Sequence, residues 1–79
     1  MPMNAEEETQ IAKLLDKDST AAQQKAALTW IRNYLEEGDI LNLPASRRSL
    51  EGLKQFSSSR SGDTSLKSRA KKLIKQYQR

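Results

Sequence analysis

The sequence predicts an all-α fold, a compact four- to five-helix bundle, and three observations carry that prediction. Apolar residues recur three and four positions apart in every segment long enough to test, which is the spacing of one helix face. No stretch alternates apolar and polar residues as a half-buried strand would. Helix-start signatures, in which a short polar residue is followed three positions later by Glu or Gln, stand at Asn4 with Glu7 and at Thr20 with Gln23.

The first helix is expected over residues 5 to about 16, capped by Asn4 with Glu7 as its reciprocal partner. Glu6, Glu7 and Glu8 put negative charge in the first turn, where it complements the helix dipole. Ile11, Leu14 and Leu15 form its apolar stripe, and Lys17-Asp18-Ser19 is a short polar loop. The second helix, 20–37, is the central post. At about 100° per residue, Ala27, Leu28, Trp30, Ile31, Tyr34 and Leu35 share one broad arc, while Lys25, Thr29, Arg32, Asn33 and Glu36 fall opposite. An arc that wide suits a helix touched by several neighbours. It also places Trp30 and Tyr34, one turn apart, as a core pair.

Gly38 is a natural residue to end that helix in the left-handed conformation. Asp39 then caps a brief third helix carrying Ile40, Leu41 and Leu43, which Pro44 stops. Ser46 caps a fourth helix over about 47–56, with Leu50, Leu53 and Phe56 on one side; Gly52 inside it costs roughly 1 kcal/mol of helix propensity relative to Ala. The serine-rich stretch 57–64 has no apolar anchor and is expected to be an exposed, mobile loop. The last helix, about 65–78, has Leu66, Ala70, Leu73, Ile74 and Tyr77 on one stripe, with Lys67, Arg69, Lys71, Lys72 and Lys75 around the rest. The expected core contains Leu14, Trp30, Ile31, Tyr34, Leu53, Leu73 and Tyr77.

Seventy-nine residues make a single domain over 1–79, its core over about 5–78. A chain of this size buries only about 60–65% of its unfolded surface, enough for a bundle core but not for a deep cleft with a supporting shell. Without Cys there is no disulfide or thiolate metal site, and without His no imidazole. No apolar run approaches the ~20 residues of a membrane span, and the N-terminal residues lack the pattern of a signal peptide. Glu36, Glu37 and Asp39 cluster at a helix end in water, where acid–base pairs do not acquire split pKa values. Ser57, Ser58 and Ser59 have no partner base, and the isolated Gly38, Gly52 and Gly62 form no phosphate-cradling loop. The expectation is a protein that is not an enzyme and uses no cofactor, metal or membrane.

The net charge of +4 hides an asymmetry. Residues 1–39 carry eight acids against four bases, and residues 40–79 carry ten bases against two acids, Glu51 and Asp63. Such a split favours an anionic partner on one side of the fold.

Four stretches, taken in order, resemble a known family. Ile11-Ala12-Lys13-Leu14-Leu15-Asp16-Lys17 looks like its opening helix, and Ala27-Leu28-Thr29-Trp30-Ile31-Arg32-Asn33-Tyr34-Leu35 like its second. Asp39-Ile40-Leu41 through Leu50-Glu51-Gly52-Leu53-Lys54-Gln55-Phe56 follows its middle segment without gaps, and Arg69-Ala70-Lys71-Lys72-Leu73-Ile74-Lys75-Gln76-Tyr77 its closing helix. The chain thus resembles the N-terminal domain of transcription elongation factor TFIIS, a helical module also found in elongin A and a Mediator subunit, over roughly 8–79. It departs from the family where Pro44 replaces Thr, Ser46-Arg47 an Ile-Gly pair and Tyr77 a late Trp. The loop before Asp39 is also shorter than the family's, and the loop 57–64 longer.

The resemblance implies a nuclear, non-enzymatic protein-interaction domain of a transcription elongation factor, expected to be monomeric. Its relatives hold short, disordered, acidic and aromatic linear motifs of other transcription regulators at one end of the bundle. Carried over, that end falls on Asp16, Lys17 and Asp18 and on Lys54, Phe56 and Arg60. Phe56 has two readings, as the last core residue of its helix or as a rim aromatic against a peptide anchor. Arg47, Arg48, Lys67, Lys71 and Lys75 form a basic face whose plain reading is a solvated helix surface. The alternative function is direct nucleic-acid binding by that basic half, which a steep dependence on salt would reveal. A homo-oligomer is the third possibility, suggested only by the small core.

Overall fold

A computed structural model describes residues 5–60 and 62–78. Four helices build the all-α bundle: α1 (Ala5–Leu15), α2 (Ala21–Ile40), α3 (Arg47–Ser58) and α4 (Thr64–Tyr77), with no strand among the described residues. Each start is set by local chemistry. At α2 the Gln23 amide donates to Thr20 Oγ1 at 3.1 Å while the Thr20 amide donates to Gln23 Oε1 at 2.8 Å, a closed capping box. Ser46 Oγ caps α3 through the Ser49 amide at 3.3 Å. The Asp63 carboxylate takes the Ser65 and Leu66 amides at 2.8 and 3.3 Å, so α4 begins at Thr64. The expected cap Asn4 lies outside the described residues.

The neighbouring pairs are α1–α2, α2–α4, α4–α3 and α3–α1, so the connection from α2 to α3 crosses the bundle diagonal. Three contacts fix α1 and α3 as parallel: Glu7 with Ser46 and Ser49, Glu8 with Arg48, and Ile11 against Gly52. The α1–α2 and α3–α4 turns therefore share one end, the turn end. The segment 41–46 lies at the other, the crossover end. Gly52 permits the α1–α3 approach: a Cβ there would stand 3.0 Å from Ile11 Cγ2 and 3.3 Å from Cγ1. The propensity cost of a mid-helix glycine is offset by this close packing.

The core is Ile11, Leu14, Ala27, Leu28, Ile31, Leu35, Leu53, Phe56, Leu66, Ala70 and Leu73. Leu14, Ile31, Leu53 and Leu73 sit there as expected; Trp30 and Tyr77 pack against this core but are only partly buried, as is Tyr34. Trp30 and Tyr34 stack on one another at 5.0 Å between ring centroids and 17° between planes. The reason is angular: α2 touches two adjacent helices, so its buried arc centres on Ala27, Ile31 and Leu35 and leaves Trp30 at the edge.

The expected brief third helix does not form. α2 runs through Gly38 and Asp39 to Ile40 and ends at Asn42, whose φ of 60° is the left-handed one. The Asn42 amide donates to Asp39 O at 3.0 Å and the Leu43 amide to Gly38 O at 2.8 Å, the paired bonds of a Schellman end. Asn tolerates that conformation because its short side chain costs little there, so Gly38 is not needed for the stop. Ile40, Leu41 and Leu43 are left 73%, 65% and 58% exposed.

The loop expected over 57–64 is also shorter, because α3 continues to Ser58 with the Ser57 hydroxyl donating to Lys54 O at 3.0 Å. Nor does it lack an anchor. Lys67 Nζ donates to Ser59 O at 2.5 Å, and Gly62, at φ 104°, lies on the Phe56 ring. A Cβ at Gly62 would stand 3.2 Å from Phe56 Cε1, so a glycine there serves both the turn and the contact. Ser61 lies outside the described residues.

Candidate interaction surfaces

The parallel register of α1 and α3 brings the predicted partner site partly together. Asp16, Lys17, Asp18 and Arg60 are all exposed and belong to the two turns of the turn end. Asp16 Oδ1 accepts the Asp18 amide at 2.9 Å, which shapes the first of those turns. Lys54 is exposed but belongs elsewhere: it lines a cleft of about 550 Å³ with Asp39, Arg47, Glu51, Tyr77 and Gln78. Phe56 is the clear correction. It is 2% exposed, one helical turn from Leu53 and covered by Gly62, so its ring meets the core and not a partner.

The predicted basic face is partly engaged within the fold. Lys67 holds the Ser59 carbonyl, as above. Arg48 Nε donates to both oxygens of Glu8 at 3.0 and 2.8 Å. That hydrogen bond holds Glu8 below the ordinary carboxylate value and Arg48 above the ordinary guanidinium value. Because the folded pKa of Glu8 is depressed, its contribution to stability is present above the unfolded value and is lost as pH falls through the folded one. Urea midpoints taken from about pH 6 down to about pH 3 are expected to fall less steeply in Arg48→Met than in the native chain. Parallel curves would show that the pair contributes nothing. Arg47, Lys71 and Lys75 are exposed.

Two clusters were not legible in the sequence. The first is buried: both Ser46 Oγ and Ser49 Oγ donate to Glu7 Oε2, the latter at 2.5 Å, and Ser49 has no exposed surface. A hydroxyl closed off in this way cannot reach a substrate; the cluster ties the first turn of α1 to that of α3. The second is open. Leu28, Thr29 and Arg32 of α2 face Arg69, Lys72 and Leu73 of α4 across a depression of about 150 Å³. Arg69 also lines a neighbouring depression with Ala21, Ala22, Lys25, Asp63, Ser65 and Leu66, so the two join along the α2–α4 seam. Lys25, Arg32, Arg69 and Lys72 are exposed, and none forms an ion pair with another described residue.

The acids near the seam lie towards its ends. Asp63, at the turn end, is engaged in capping α4. Glu36 and Asp39 lie towards the crossover end beside Tyr77, whose phenol is pushed up chiefly by burial and then by those two carboxylates, with Arg32 opposing. Among the described residues no group of three or more acidic side chains is arranged to hold a metal ion, and no helix is long and apolar enough to cross a membrane. No family model, curated protein or solved structure matches the chain.

Proposed function

We propose that the domain is a non-enzymatic interaction module of a transcription elongation factor, acting in the nucleus as a monomer and holding short disordered acidic motifs that carry an aromatic anchor. The observation that carries the reading is the order of the family-like segments along the chain, several of whose apolar positions, among them Leu14, Ile31, Leu53 and Leu73, lie in the core. Cations concentrated on the second half of the chain, several of them without an intramolecular partner, give an acidic guest a surface of opposite sign. A second reading, direct binding of nucleic acid, is favoured by one feature, the four unpaired cations of the α2–α4 seam.

The two separate by salt. Fluorescence anisotropy of a labelled acidic peptide with one Phe, and of labelled duplex DNA and RNA, would be recorded at about 50 mM and about 200 mM salt. A peptide held by an apolar anchor is expected to keep most of its affinity across that range. A protein neutralising many phosphates would lose several orders of magnitude. Binding of nucleic acid with no binding of the peptide at either salt would overturn the leading reading.

A further inference from the structure

We infer that the acidic motif docks in the α2–α4 seam, with its apolar side chain over Leu28 and Leu73 and its flanking carboxylates facing Arg32, Arg69 and Lys72. This rests on the proposed interaction function and moves the contact from the turn end to a lateral face. Three observations carry it. The turn end mixes its charges, since Lys17 sits between Asp16 and Asp18, and its one aromatic, Phe56, is buried. The seam has four cations on facing flanks, and its acids, Asp63, Glu36 and Asp39, lie towards its two ends.

The third observation is the floor of the seam. Leu66 and Leu73, at 6% and 8%, are the most exposed members of the core, and both line it. Of the four neighbouring helix pairs, α2 and α4 make the slightest contact. Like charges face each other there, so the two flanks repel, and an anion bridging Arg32 and Arg69 would relieve that repulsion while gaining from both.

The dimensions suit a short peptide. Lys25 and Arg32 stand seven positions apart on α2, about 10 Å along the axis. Three or four extended residues span that length, enough for one anchor with a carboxylate on either side. A depression of about 150 Å³ with an apolar floor receives one side chain. Nucleic acid fits less well, because no aromatic lines the seam to stack a base.

The test uses a labelled peptide of about a dozen residues with a single Phe flanked by Asp and Glu, a second in which that Phe is Ala, and duplex DNA. Arg69→Glu is the diagnostic variant. It places a carboxylate opposite Arg32, so the thermal midpoint is expected to hold or rise, while peptide affinity falls about tenfold or more. Lys72→Glu serves as a second reversal should Arg69→Glu fail to fold. Lys17→Glu with Arg60→Glu is expected to leave affinity within about twofold, because neither residue lines the seam. Methyl shifts at Leu28 and Leu73 in the native chain give a readout free of any mutation, and the Ala peptide is expected not to produce them.

Loss of binding in the turn-end double variant with binding kept in Arg69→Glu would overturn the placement and leave the interaction function standing. No binding of the Phe peptide to the native chain would overturn both. Duplex DNA bound in place of the peptide, and released by Arg69→Glu, would give the seam to nucleic acid and overturn the inference.

Discussion

Phe56→Ala is expected to lower the unfolding free energy by about 3–5 kcal/mol, the range for removing a fully buried aromatic from a packed core. The ring is 2% exposed and leads the fully buried side chains in volume. Two kinds of neighbour define its site, the buried residues of the bundle and the Gly62 backbone folded over its edge. The deletion therefore opens a cavity and also removes the surface on which the α3–α4 turn rests. A domain of this size has only about 5–10 kcal/mol in total, so the variant is expected to stand at the margin of folding. Urea denaturation followed by far-ultraviolet circular dichroism would read the loss as a lower midpoint. A cost under about 1 kcal/mol, together with weakened peptide binding, would restore Phe56 to the rim and contradict its burial.

That residue also shows where reading a sequence stops. A wheel placed Phe56 on the inner stripe with Leu53, but whether a terminal aromatic ends inside or at the rim depends on what covers it. The cover is Gly62, six positions on and across a turn. Features closed within four or five residues were legible: the Thr20–Gln23 capping box, the Ser46 cap and the α4 stripe all depend on local spacing alone. The α2 end was misread for a related reason. Gly38 and Asn42 can both take the left-handed conformation, and the helix runs on to close with two bonds at Asn42.

The interaction surface was the least legible part. Lys25 and Arg32 read as the solvated side of α2, and Arg69 and Lys72 as that of α4. Only the diagonal crossing of the α2–α3 connection makes α2 and α4 neighbours and turns two ordinary polar faces into one basic groove. Trp30 follows the same logic in reverse: α2 packs chiefly on α1 and α4, and the edge of its broad arc remains partly open.

Glu7→Ala is expected to cost about 3 kcal/mol, although Glu7 reads from the sequence as a first-turn acid of modest worth. Its Oε2 accepts both Ser46 Oγ and Ser49 Oγ, and the residue is 6% exposed. Removing it takes away two hydrogen bonds to a charged acceptor and leaves the Ser49 hydroxyl, which has no exposed surface, without this acceptor. Ser49→Ala alone removes one donor and leaves Glu7 bound to Ser46, so a loss of about 1–2 kcal/mol is expected. The informative variant is the pair: with Glu7→Ala and Ser49→Ala together, the buried orphan is gone and the cost should fall short of the two single losses added. Strict additivity in that double-mutant cycle would mean that the hydroxyl and the carboxylate do not interact in solution. Since this cluster and the neighbouring Ile11–Gly52 contact hold α1 and α3 in parallel register, a shortfall would also bear on how the two turns come to share one end of the bundle.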